Sequence, residues 1–186
     1  LMPKHESASA VYSGLLRDTP AGDVAVWVTR NGVRRIGSVT PEMIEDGHWD
    51  AEGHATLRVA LHQLNQYFEG KRKRFHLPLD LSGATKFQRS IYERLTDIPY
   101  GRVVSYGDIA DEIGVAGAAR AVGQAVGANP LPIVVPCHRV VRSDGGLGGY
   151  SGGLRRKVAL LTIEGVGVDG FQSRSRVHPE VLQLPL

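Results

Sequence analysis

The chain has 186 residues, of which 42% are hydrophobic and 22% charged, a composition suited to an ordinary globular core in one domain or two small ones. Its single cysteine excludes an internal disulfide and any zinc site built from several thiolates, and points to a reducing compartment, the cytoplasm. Seven histidines without ligand spacing leave no metal expected, no run is apolar enough for a membrane span, and a net charge of +3 with a pI near 9.2 admits a polyanionic partner without requiring one.

Residues 1–12 are small and polar and read as loose. Between Leu15 and Gly37, the alternating run Val24-Ala25-Val26-Trp27-Val28-Thr29 is followed by Asn31-Gly32 and a second apolar stretch, which predicts two or three antiparallel strands joined by a hairpin. Residues 41–53 are acidic and irregular. Leu57, Ala60, Leu61, Leu64 and Phe68 then recur at helical spacing from Ala55 to Phe68, and Gly70 stops the helix. The basic run at residues 71–74 reads as a solvated loop, with a phosphate contact as the functional alternative. An extended segment at residues 77–81 leads to Ser82-Gly83, a domain boundary. This first part, residues 1–82, is expected to be a scaffold.

The second part, residues 83–186, opens on Thr85, which suits a helix cap. Phe87, Ile91, Leu95 and Ile98 follow at helical intervals, and Pro99-Tyr100-Gly101 ends the helix. A short helix from Asp108 to Ile113, a glycine-containing turn and a second helix from Gly117 to Gly127 predict a helix-turn-helix. That second helix carries almost only Gly, Ala and Val, plus Arg120 and Gln124. Such a face suits close approach to a DNA minor groove, and it equally suits tight packing inside the domain.

Residues 129–141 hold Cys137 with His138 directly after it. Ile133, Val134 and Val135 are β-branched and too few for a helix, so they predict a short buried strand, which Pro136 ends. The thiol is then offered at a strand end against apolar walls. A lone cysteine is more often a small buried hydrophobe than a nucleophile, so the surrounding string has to decide.

Pro136-Cys137-His138-Arg139-Val140 after Asn129-Pro130 resembles the active-site motif of the O6-alkylguanine-DNA alkyltransferases, or methylated-DNA–protein-cysteine methyltransferases. Further blocks of that family appear in order at Phe87-Gln88, Ile98-Pro99-Tyr100-Gly101, Ser105-Tyr106-Gly107, Ala119-Arg120-Ala121-Val122-Gly123 and Tyr150-Ser151-Gly152-Gly153-Leu154. The resemblance spans residues 87–164; the first part is similar in layout only and lacks the zinc-binding cysteines of some members. It implies an α/β (α+β) fold, with a small N-terminal antiparallel-sheet-plus-helix domain and a mostly helical C-terminal domain carrying the helix-turn-helix and the cysteine.

The same resemblance implies direct, irreversible transfer of an alkyl group from O6-alkylguanine in double-stranded DNA to Cys137, once per molecule and without a cofactor. A water-bridged His138 would serve as base, oriented by Glu164, the logic of a triad. Tyr106 would supply a proton to the flipped base, Ser151 would bond its oxygen, Tyr150 would wall the pocket, and Pro132 would touch the ring. The Cys137 and Val140 carbonyls would accept from the exocyclic amine. Asn129 would tie the helix-turn-helix to the active-site turn. Lys157 would either assist electrostatically or stand exposed on its helix. Arg120 would fill the stack vacated by the base, with Ser105, Ala121, Gly123 and Gln124 along the DNA surface. A monomer is expected, with clustering on DNA and O4-alkylthymine repair left open by the sequence. Residues 165–186 match no motif and are expected to be irregular.

Other readings stand beside this one. A thiol hydrolase would use the same three residues but turn over continuously. A non-reactive lesion sensor would lack the cysteine that is present here. A transcriptional regulator would need a richer recognition helix.

Overall fold

The computed structural model describes residues 11–40 and 54–178. The expectations for residues 1–10, 41–53 and 179–186 lie outside the described residues. Strands β1 (Tyr12–Leu16), β2 (Val24–Thr29) and β3 (Gly32–Ser38) form an antiparallel sheet in the order β1-β2-β3. Thr29 pairs with Gly32, so the hairpin turns on Arg30-Asn31, and Gly32 opens β3 rather than sitting within the turn. Gly32 has φ of 135°, and a Cβ there would meet the Pro78 carbonyl oxygen at 2.3 Å. Only glycine lets the chain at Pro78 approach this closely. The segment binds there through Val33 N–H to Pro78 O and Asp80 N–H to Val33 O, both 2.8 Å.

Helix α1 (Ala55–Phe68) lays Leu57, Ala60, Leu64 and Tyr67 against the sheet. Its limits are those given by the apolar spacing. Helix α2 (Lys86–Asp97) starts at a reciprocal cap in which the Thr85 hydroxyl accepts from the Gln88 N–H and the Gln88 side chain accepts from the Thr85 N–H. The β4 strand (Val104–Ser105) leads into α3 (Tyr106–Glu112), and a turn joins this to α4 (Ala119–Gly127), which gives the expected helix-turn-helix. Helix α4 buries Val122, Ala125 and Val126 while Arg120, Ala121, Gln124 and Gly127 face outward. Its small residues therefore serve packing on one side and leave a low, nearly bare surface on the other.

Two expectations are corrected. Residues 133–135 are not a strand; they form a turn closed by Val135 N–H to Leu131 O at 2.8 Å. Prolines at 130, 132 and 136 deny this stretch the regular donors of a ladder. Ile133 has φ of 78°, a costly conformation for a β-branched residue, and it is held there by burial at 3% exposure. The strand comes later, as β5 (Val140–Val141), which pairs in parallel with β4 after a single 3-10 turn at Cys137–Arg139.

The segment after residue 164 is not irregular throughout. Val168 bridges Val177, Arg176 bridges Gly146, and Val166 and Val177 are buried beside helix α5 (Leu154–Ile163). Three spaced valines give it an apolar edge to bury, and Leu147 N–H to Ser175 O and Val177 N–H to Gly145 O tie it to the glycine-rich loop. The larger apolar cluster runs without a break from the sheet and α1 through α2 and α4 to Cys137.

Candidate functional site

The 3-10 turn carries Cys137, His138 and Arg139 into the interior, where the three are 3%, 0% and 5% exposed. Asn129 holds the preceding turn, residues 131–135, to the end of α4. Its amide donates to Val135 O at 2.8 Å and its carbonyl oxygen accepts from Leu131 N–H at 3.0 Å.

Glu164, at the end of α5, gathers donors from three directions. His138 Nε2 donates to Oε1 at 2.8 Å, the Tyr67 hydroxyl donates to Oε1 at 2.8 Å, and Arg139 donates from NH2 to Oε1 at 2.9 Å and from Nε to Oε2 at 2.8 Å. Gly101 N–H donates to Oε2 at 3.1 Å. A carboxylate only accepts, so the proton of His138 sits on Nε2. Its Nδ1 is then the basic nitrogen, and it is buried without a hydrogen-bond partner among the described residues.

The electrostatics follow from burial and pairing. Burial disfavours the Glu164 carboxylate, yet His138 and Arg139 together outweigh it and hold the group well below the usual carboxylate range. Burial pushes His138 below the usual imidazole value, against the pull of Glu164. The imidazole is thus neutral and able to accept a proton. Burial pushes the Cys137 thiol up, while the Asn129 and Tyr150 side chains and the charge on Lys157 act to lower it. The resting group is a thiol, and it needs a base at the moment of reaction.

Lys157 is not an exposed helix lysine. It is completely buried, its Nζ donates to the carbonyls of Val140 and Leu147 at 2.6 Å each, and burial lowers its pKa to about 8. It belongs to the buried set of α5 with Val158, Leu160 and Leu161. An amine in that set can only be kept by carbonyls, and these belong to β5 and to the glycine-rich loop.

Tyr106 lies between α4 and the glycine-rich loop: a Cβ at Gly123 would stand 3.7 Å from its ring, and one at Gly148 would stand 3.5 Å from its hydroxyl. Burial raises its pKa first, and the nearby Cys137 adds to this. A groove of about 820 Å³ opens beside the site, with Asn129, Pro132, Tyr150 and Ser151 among its lining residues, and the N-terminal sheet forms the far wall. Cys137 does not line it. Tyr150 borders both, since it lines the groove while its buried hydroxyl lies near enough to Cys137 for each to shift the other's titration. Ser151 is exposed. Ser105, expected on the DNA surface, is buried, and its hydroxyl accepts from Asp108 N–H to cap α3. Arg120, Ala121 and Gln124 stand together on the exposed face of α4, and Gly123 turns inward against Tyr106.

Three residues of the site were given no role from the sequence: Tyr67, Arg139 and Gly101. Arg139 carries a usable signal, a permanent charge within an apolar run, which requires a buried partner. Tyr67 and Gly101 reach Glu164 across 97 and 63 residues, a separation that no local pattern reports.

A lone buried thiol, a neighbouring imidazole oriented by a carboxylate, and a bare helix-turn-helix surface define a class of single-cysteine proteins built on a nucleic-acid-binding scaffold. Comparison with known proteins narrows this. Residues 86–166 match the family model described as 6-O-methylguanine DNA methyltransferase, DNA binding domain, and residues 11–81 match its ribonuclease-like domain. The methylated-DNA–protein-cysteine methyltransferase of Mycobacterium tuberculosis is 52% identical over 117 residues, 63% of this chain and 70% of that protein. That of Shigella flexneri is 42% identical, covering 79% of this chain and 92% of its own length. The crystal structure of Mycobacterium tuberculosis O6-methylguanine methyltransferase superposes with a TM-score of 0.70 at 40% identity, covering 83% of this chain and 93% of that one. A structure from the same organism in complex with DNA gives 0.69 at 40% identity over 82% and 92%. The chain belongs to the methylated-DNA–protein-cysteine methyltransferase family.

Proposed function

We propose that this protein repairs O6-alkylguanine in double-stranded DNA by moving the alkyl group to Cys137, each molecule reacting once. Family membership carries direct-reversal repair by alkyl transfer. The observation that carries the residue assignment is the locked pair of His138 and Glu164, which leaves a basic Nδ1 on the residue next to the only cysteine.

The chemistry is one displacement. The thiol proton passes through a water to His138 Nδ1, and the sulfur attacks the alkyl carbon in line with its bond to O6. That bond breaks with its electron pair going to oxygen, and the guanine takes a proton from Tyr106, which is restored by the proton that His138 took from the thiol. The products are an S-alkylcysteine and an unmodified guanine. A thioether is a poor leaving group at neutral pH, so nothing regenerates the thiol.

Reaching the alkyl group requires extruding the nucleotide from the duplex at a cost of a few kcal/mol. The exposed face of α4 is low enough to follow a minor groove, with Arg120 placed to take the vacated space and Ala121 and Gln124 beside it. Phosphate contacts elsewhere would bind with little sequence preference. Pro132, Tyr150 and Ser151 border the groove through which the base would arrive, and Val140 O and Cys137 O would read its amine. The chain divides in this reading at residues 82 and 83, and it acts as a monomer. Incubation with a duplex bearing isotope-labelled O6-methylguanine, followed by peptide mass analysis, tests the assignment. Label on the Cys137 peptide supports it; label absent there, or a Cys137→Ala variant that still accepts label, contradicts it.

A further inference from the structure

We propose that Tyr67, from the first half of the chain, is a positioning residue for alkyl transfer, setting both the orientation and the basicity of His138 through Glu164. This inference rests on the proposed reading of Cys137, His138 and Glu164.

The geometry is specific. Tyr67 is the last buried residue of α1, fully enclosed, with its ring packed on Phe68, Phe75 and Tyr100 at centroid distances of 5.5, 5.6 and 6.2 Å. Its hydroxyl does not simply fill space. It donates at 2.8 Å to Oε1 of Glu164, the same oxygen that receives the His138 proton, and it stands 3.5 Å from His138 Nε2. Burial, and then Glu164 itself, raise the pKa of the phenol, so it remains a donor throughout the working pH range.

Two consequences follow from sharing one oxygen. The phenol joins the bidentate Arg139 in holding Oε1 in place, and so fixes the oxygen on which His138 Nε2 is seated. It also takes up part of the carboxylate's charge, which weakens the hold of Glu164 on a proton at His138. Among the described residues, the groups facing His138 are Glu164 and Lys157 from α5 and its end, Arg139 from the 3-10 turn, and Tyr67 from α1. Tyr67 is the neutral donor among them, and among the described residues of the first half of the chain α1 alone contributes to this set. The N-terminal part is therefore more than a scaffold.

The sign is fixed by the chemistry. Without the phenol, Glu164 binds the imidazolium more strongly, and His138 becomes a free base only at higher pH. Single-turnover transfer from an O6-methylguanine duplex is measured against pH for wild type and Tyr67→Phe, which keeps the ring and its packing. The variant is expected to transfer about tenfold more slowly on the acid limb, the equivalent of about one pKa unit, with that limb moved to higher pH and DNA affinity unchanged. A second protein, with 3,5-difluorotyrosine at position 67, strengthens the donor and is expected to move the limb to lower pH. Limbs that stay in place in both proteins, whatever happens to thermal stability, overturn the role of Tyr67. If Tyr67→Phe does not fold, the fluorinated protein decides alone. Failure of wild type to accept the methyl group on Cys137 would instead overturn the functional reading on which this one stands.

Discussion

Glu164 concentrates more of the site's energetics than the cysteine does. Four groups donate to its buried carboxylate, and one of them, Arg139, is a permanent cation at 5% exposure that also donates to Ile98 O at 2.5 Å. Replacing Glu164 by Gln keeps the shape and removes the charge, leaving that guanidinium without a counter-ion. Removing one partner of a buried pair typically costs about 3–5 kcal/mol, so Glu164→Gln is expected to lower the thermal midpoint markedly as well as slow transfer. The pH dependence has a definite sign. Both Glu164 and His138 have folded pKa values below their ordinary ones, so their stabilisation is present above those ordinary values, near 4.3 and 6.5. It fades as pH falls below about 6.5 for His138 and below about 4.3 for Glu164, because the unfolded chain then binds more protons. Urea midpoints measured from pH 7 to pH 3 should fall in wild type and fall less steeply in Glu164→Gln.

At the scale of elements, local signals were legible where a local cause exists. Ala55–Phe68 follows from apolar spacing, the start of α2 from Thr85 and Gln88, and the helix-turn-helix from its glycine turn. The stretch at residues 133–135 was not legible, because β-branched composition reports strand preference while three prolines and the Asn129 side chain impose a turn. Lys157 misled for a related reason: lysine is usually solvated, and only its long-range carbonyl partners reveal otherwise. The block at residues 136–140 placed Cys137 and His138, the block at residues 98–101 held Gly101 without a role, and Tyr67 lies outside every block. For α4, the exposed Arg120 leads to a clean separation. Arg120→Ala is expected to leave thermal stability unchanged and to slow transfer from duplex DNA about tenfold, the rate equivalent of roughly 1.4 kcal/mol. Transfer from the free base O6-benzylguanine, which needs no extrusion, should be unaffected. Equal losses on both substrates would argue against a role in base extrusion.

Across the whole molecule, α5 joins the two halves along the groove beside the site. Arg156 donates from Nε to Ala21 O at 2.6 Å and from NH2 to Asp23 O at 2.7 Å, and its NH1 meets the Ser38 hydroxyl. Together with Tyr67 at Glu164, this makes the sheet and the reactive half one continuous packing unit. Arg156→Ala strands two carbonyls at the junction and is expected to cost about 1–3 kcal/mol, a fall of roughly 2–4 °C in Tm for each kcal/mol at this size. Differential scanning calorimetry of wild type and variant gives that difference directly.

The most direct test of the central claim is a count of alkyl groups accepted per molecule in the presence of a large excess of O6-methylguanine duplex. The account predicts that transfer stops at one equivalent, with every reacted chain heavier by one methyl group. Transfer continuing past one equivalent, with the thiol still free, would contradict it and mark a thiol that turns over.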